Sequence, residues 1–235
     1  MRWSTPEPSE VAAKRPVRLV SWDVDGTLYS RSRLVFRLLL DFDEAAFSAL
    51  RKLFTFRAEL ETFRRAEGGA PEAMAALRES RHECNEIERR FIVPALHRIG
   101  PHSSVVRAIQ FLEGAGIPQV VFSDYASEHK LRALELARYF DTVYAAEALG
   151  ALKPSPVGLE RIAHDYGVEP GDMLHIGDRR DTDGAAADSF GCRFLLFGRT
   201  SYLPSRLEKR LRSYRFAPSA STSRSPSSSD KEEET

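Results

Sequence analysis

Short apolar runs and amphipathic stretches alternate along this chain, but not evenly. Val17 to Trp22 is a compact apolar run with β-branched and aromatic members, the pattern of a buried strand. From Arg31 to about Ile99 the period changes. Leu34, Val35, Leu38, Leu39 and Phe42, then Phe47, Leu50, Leu53, Phe54, Leu60 and Phe63, recur at helical spacing, and charges fill the other faces. After Gly68-Gly69-Ala70-Pro71 the same spacing returns in Ala73, Met74, Leu77, Cys84, Ile87, Phe91 and Leu96. This predicts several helices and no strand. Beyond Pro101, predicted helices and strands take turns. A helix over Val105–Leu112 ends at Gly114-Ala115-Gly116, and a strand over Gln119–Phe122 ends at Ser123-Asp124. A helix carrying Leu131 and Leu134 precedes a short strand at Thr142–Ala145. Ser155 as N-cap and Pro156 as first residue start the next helix, which stops at Gly167. A strand at Met173–Ile176, a helix at Ala185–Phe190 and a strand at Arg193–Phe197 complete the series. A last stripe, Leu203, Leu207 and Leu211, has a basic opposite face that reads as a solvated surface.

Strands alternating with helices predict an α/β fold: a parallel sheet with right-handed crossovers, layered by helices as in a Rossmann-like core. In such a sheet the site lies beyond the carboxyl ends of the strands. The conspicuous polar residues sit at such ends or in the loops beyond them: Asp23 and Asp25, Ser123 and Asp124, Lys153, Asp178 and Asp183. The expected organisation is a flexible lead at 1–16, a core of 17–30 and 100–215, a helical insertion at 31–99 and a disordered Ser/Pro-rich acidic tail at 216–235. An insertion directly after the Asp23 turn would sit above the strand ends as a lid.

Composition narrows the picture. The 235 residues carry 34 basic and 34 acidic side chains, so nothing global points to nucleic acid or an anionic membrane. No apolar run is long enough to span a bilayer, and the polar N-terminus has no apolar signal core. Cys84 and Cys192 are far apart and in no metal-ligand spacing, which fits a reducing, cytoplasmic setting.

The chemistry follows from charge. Asp23 and Asp25 share one face of a strand end, and Gly26 turns the chain beyond them. Gathered with Asp178 and Asp183, each close pair of acids would cost on the order of 4 kcal/mol at an effective dielectric near 20. Such a site needs a cation, and oxygen ligands without His or Cys favour Mg²⁺. A phosphate substrate adds negative charge, and Lys153 would counter it. The set suits phosphoryl transfer: Asp23 as nucleophile, Asp25 as general acid and then base. Taken singly, Ser123 reads as a turn hydroxyl, Lys153 as a solvated loop lysine and the acids of 178–183 as partners of Arg179 and Arg180. The chemical reading rests on their falling together at successive strand ends. None of the six histidines fits a ligand or triad spacing.

These motifs are similar to those of the haloacid dehalogenase-like (HAD) hydrolase superfamily. Asp23-Val24-Asp25-Gly26-Thr27 resembles its first motif, Val120-Val121-Phe122-Ser123 the second, Lys153-Pro154 the third, and Gly177-Asp178 through Asp183 the fourth. The insertion resembles the helical cap of the phosphoglycolate phosphatase and β-phosphoglucomutase type. The resemblance implies Asp23 as nucleophile and Mg²⁺ ligand, Asp25 as acid/base with its backbone carbonyl on Mg²⁺, and Asp178 as a metal ligand supported by Asp183. Ser123 and Lys153 would bind the transferring phosphoryl group, with the backbone N–H of Asp124 beside them and its side chain turned away. Thr27 would help hold the first loop. Dehalogenases of the superfamily lack an aspartate at the position of Asp25, so its presence implies a phosphatase or a phosphomutase, and the main expectation is a phosphatase acting on a small phosphorylated metabolite. A phosphomutase, or a non-enzymatic scaffold on the same fold, are the alternatives. In the cap, Arg31, Arg33, Arg64-Arg65, Arg81-His82 and Arg89-Arg90 include the candidates for meeting an anionic leaving group. Monomer and dimer are both left open.

Overall fold

The structure is a computed structural model that describes residues 15–40, 47–48, 51–52, 55–56, 58, 84–197 and 206–218. Its centre is a sheet of five parallel strands: β1 (Leu19–Trp22), β2 (Gln119–Ser123), β3 (Thr142–Ala145), β4 (Met173–Gly177) and β5 (Arg193–Leu196). They lie in the order β3-β2-β1-β4-β5. β1 is therefore central, with Trp22 opposite Val121 on one side and Ile176 on the other. The order reverses at β1, and the crevice at that switch point opens beyond Trp22.

Strand residues alternate between two faces, and each face has its own core. Val20, Trp22, Val121, Leu174, Ile176 and Leu195 pack with α3 (Ser103–Gly114) and α7 (Arg206–Leu211). Leu19, Val120, Phe122 and Met173 pack on the opposite face with α5 (Val157–Tyr166) and α6 (Ala185–Phe190). Helices on both faces of a parallel sheet make the expected three-layer α/β core.

Among the described residues of the expected insertion, the chain is helical. α1 (Arg31–Leu40) starts directly after the first turn, capped by Ser30, whose Oγ accepts from Arg33 N at 3.2 Å. On the return, helical residues 84–87 run into a π-helical segment, Glu88–Ile92, and on into α2 (Val93–Ile99). α2 packs against α1 and against α4 (Glu128–Ala133). Most of 41–83, where the other expected cap helices fall, lies outside the described residues.

Several boundaries differ from expectation. The helix after Lys153 begins at Val157 with Pro156 as its cap, not Ser155; Ser155 Oγ accepts from Val157 N at 3.4 Å from one position further out. The ends of the chain are packed further than expected. Arg15 reaches Asp172 at 2.8 Å, and Phe216 forms a parallel bridge with Val17. Val17 N donates to Arg215 O at 2.7 Å and Ala217 N to Val17 O at 3.0 Å, so packed chain runs past 215. The rest of the expected lead and tail, 1–14 and 219–235, lies outside the described residues. No described helix is long and apolar enough to cross a membrane.

Candidate active site

Asp23 follows β1 directly, and its backbone N–H donates to Ile176 O at 2.8 Å, which fixes it between the two central strands. The turn beyond it needs Gly26. The φ of +94° there is one that L side chains rarely adopt, and a Cβ would overlap the Asp178 carboxylate. The turn is closed by Thr27 N and Leu28 N, which both donate to Val24 O. Thr27 Oγ1 donates to Asp23 Oδ2 at 2.9 Å, the role expected of it.

Lys153 is the hub. It is 2 % exposed, far from the solvated loop lysine that its position alone suggested. Its Nζ donates to Asp23 Oδ1 at 2.7 Å, to Asp183 Oδ1 at 2.6 Å and to Phe122 O at 3.3 Å. An ammonium has three protons, so all are used. Burial disfavours its charge, but Asp183 and Asp23 outweigh that and push its pKa above the ordinary lysine range. Ser123 ends β2 immediately after Phe122 and is buried. Asp124 Oδ1 accepts from Lys153 N at 3.0 Å, so its side chain ties down the Lys153 loop.

Asp183 is held by three donors. Besides Lys153, Arg179 N reaches Oδ2 at 3.1 Å and His175 Nε2 lies 3.4 Å from Oδ1. His175 is fully buried and its Nδ1 is 2.8 Å from Ser21 Oγ. With Ser21 donating to Nδ1, Nε2 carries the proton that it gives to Asp183. Burial would raise the pKa of Asp183, but Lys153 and His175 hold it well below the ordinary carboxylate range. Gly177 makes room for this carboxylate, which an added Cβ would overlap.

Asp23 and Asp178 shift the other way. Burial pushes Asp23 up, with Lys153 pulling against it and Asp183 adding to the rise. Burial and the Asp23 charge push Asp178 up to about 7, although Arg31 opposes them. Asp178 Oδ1 is buried and accepts no hydrogen bond from the described residues. One oxygen from each of Asp23, Asp178 and Asp183 lies within 4.8 Å of the others. A buried oxygen without a donor, in an oxygen-only set of acids, fits a hard divalent cation. The Arg31 guanidinium now holds that ground: NH1 lies 3.4 Å from Asp178 Oδ2, and NH2 donates to the Asp25 carbonyl.

The Asp25 carboxylate belongs to a separate network. Both of its oxygens accept from Lys130 Nζ, at 3.0 and 3.1 Å, and Tyr29 OH donates to Oδ1. Asp23, Lys153, Asp178 and Asp183 thus meet as the motifs predict, while Asp25 pairs with a lysine that no motif marks. Lys130 was readable in principle: it shares a helix face with Ala133 and Leu134, an odd place for a charge. His175 gave no such signal, because Ser21 is 154 residues away and Asp183, eight residues on, comes back to it only through the turn after β4. Among the cap arginines, Arg31 reaches the site and Arg89 instead pairs with Glu86 at 3.1 Å; Arg64, Arg65, Arg81 and His82 lie outside the described residues.

Comparison with known proteins identifies the family. A family model described as haloacid dehalogenase-like hydrolase matches residues 17–191. The chain belongs to that family. A phosphoglycolate phosphatase of Neisseria gonorrhoeae is 32% identical over 95 residues, 39% of this chain and 40% of that relative. The chain thus spans well under half of the length of this curated relative. Among solved structures, a dehalogenase with an intermediate complex superposes with a TM-score of 0.56 at 19% identity, over 78% of this chain and 85% of that one. The L-2-haloacid dehalogenase of Xanthobacter autotrophicus gives 0.54 at 16% identity, over 86% and 93%. At such identities these two share the fold.

Proposed function

We propose that this protein is a Mg²⁺-dependent phosphatase that hydrolyses a small phosphorylated metabolite through an aspartyl-phosphate on Asp23. The observation that carries the reading is the buried Lys153 ammonium bonded to Asp23 and Asp183, beside an Asp178 oxygen that no described donor reaches. Mg²⁺, when bound, supplies positive charge beside the phosphoryl oxygens and lowers the repulsion among the acids. Asp23, Asp178 and the Asp25 carbonyl would hold it once Arg31 moves aside. Asp183 has Lys153, His175 and Arg179 N as partners already, which suits support rather than direct ligation.

In the first half, an Asp23 oxygen forms a bond to phosphorus while the bond to the leaving oxygen breaks, and Asp25 gives that oxygen a proton. In the second, water attacks phosphorus, Asp25 takes its proton, and the bond to Asp23 breaks with its electron pair returning to the carboxylate. Lys153, the Ser123 hydroxyl and the Asp124 backbone amide would orient the phosphoryl oxygens. The setting is dry, so these dipoles act more strongly than in water.

A panel of phosphorylated metabolites that includes phosphoglycolate, the substrate named for the Neisseria relative, tests the proposal. Phosphate release that needs Mg²⁺, stops on chelation and falls at least about a thousandfold in Asp23→Asn is expected. No release from any panel member would sink the reading. Isomerised sugar phosphate without net phosphate release would replace it with a mutase.

A further inference from the structure

Lys130 is the charged group that the scheme above leaves without a task. It is 4 % exposed, on α4, and its Nζ lies 3.0 and 3.1 Å from the two Asp25 oxygens and 3.2 Å from Glu88 Oε1. Glu88 opens the π-helical segment on the return from the insertion, and its other oxygen meets His129 Nε2 at 3.0 Å. Burying an ammonium costs several kcal/mol unless charges surround it, and a lysine stem usually carries its charge out to water. Here it does not. The ammonium is shared by both Asp25 oxygens and by Glu88 Oε1, so three oxygens of two acids hold it where it meets Asp25.

We propose that Lys130 is a positioning residue that holds the Asp25 carboxylate in place as the base for hydrolysis of the aspartyl-phosphate, and that Glu88 anchors Lys130. The inference rests on the phosphatase reading. In that half-reaction the water proton passes to Asp25, the water oxygen bonds to phosphorus, and the Asp23 carboxylate leaves. In the first half Asp25 must instead carry a proton to the leaving oxygen. An activated leaving group such as p-nitrophenolate needs none, so p-nitrophenyl phosphate isolates the second half.

The test is rapid mixing of the Mg²⁺-loaded full chain with p-nitrophenyl phosphate. Lys130→Met is expected to give a burst of p-nitrophenolate near one per site, followed by a steady state about 10–100-fold slower than wild type. kcat and KM fall together, so kcat/KM stays within about threefold, because it reports the unaffected first half. Lys130→Arg keeps the charge and recovers most of the rate. Glu88→Gln shows the same burst with a smaller loss. Equal losses in kcat and kcat/KM without a burst, or no change, overturn the inference and leave the phosphatase reading standing. If Lys130→Met does not fold, Glu88→Gln decides: no accumulation of phosphoenzyme there overturns it. A wild-type protein inert toward p-nitrophenyl phosphate and the metabolite panel alike overturns both.

Discussion

The three carboxylates beside Lys153 are not equivalent, and pH separates them. Asp178 is raised from 3.8 to about 7, chiefly by burial and then by Asp23. Between those values the folded protein keeps a proton that the unfolded chain releases. The contribution of Asp178 to stability is therefore complete below about 4 and lost as pH rises through about 7. Asp183 has the opposite sign: its pKa is depressed in the fold by Lys153 and His175 against burial, so its contribution is lost as pH falls below 3.8. Asp178→Asn should accordingly raise the Tm of the metal-free protein at pH 8 and leave it nearly unchanged at pH 4, as read by calorimetric scans. Cation affinity should climb with pH through the same window, because Asp178 binds as the carboxylate. Arg31 lies 3.4 Å from Asp178 Oδ2 and donates to the Asp25 carbonyl, so it occupies two of the proposed cation ligands. Isothermal titration with Mg²⁺ alone should show Arg31→Gln binding about fivefold more tightly, the equivalent of about 1 kcal/mol for a partly exposed pair. Equal or weaker binding would mean that the guanidinium does not compete.

At the scale of elements, the strand ends create the site and two glycines keep it open. β4 delivers Gly177 to the point where the following π-helical turn, Arg180–Gly184, folds Asp183 back over it. A methyl group on residue 177 would meet the Asp183 carboxylate. Gly177→Ala should cost about 1–3 kcal/mol through overpacking and loosen the Lys153–Asp183 bond, with urea unfolding and the pH profile of stability as the two measurements. A variant as stable as wild type would show that the turn can yield. The elements themselves were legible from periodicity, since Thr142–Ala145 and Ala185–Phe190 run as their apolar patterns predict. The start of α5 was not. Ser155 and Pro156 satisfy the N-cap rule on paper, but Pro156 itself takes the cap position and Ser155 stands one residue outside.

For the whole molecule, the match to the family model ends at residue 191, yet the core does not. α7 buries Leu207 and Leu211 completely against the face that holds Val105 and Ile109, and the Val17–Phe216 bridge ties the two ends of the described chain together. Each such leucine contributes about 1.5–3 kcal/mol, a large share of the stability of a domain this size. A chain shortened to end at residue 205 should therefore unfold at a markedly lower temperature, or without a cooperative transition, by circular dichroism. An unchanged Tm would show that α7 is dispensable.

The sequence by itself determined the alternation of strands and helices, the parallel sheet and the acid, hydroxyl and lysine positions at its ends. These depend on local periodicity and on residue types at fixed spacing, which the chain carries wherever it folds. Tertiary structure decided which groups meet. Lys153 and Asp183 pair across 30 residues, His175 meets Ser21 on the neighbouring strand, and Lys130 reaches Asp25 across 105 residues. Such pairings follow from the order of strands and from which charges burial forces together, and neither leaves a mark at short range. Asp23 and Asp25, one residue apart, look like a pair in the sequence; packing gives each its own lysine.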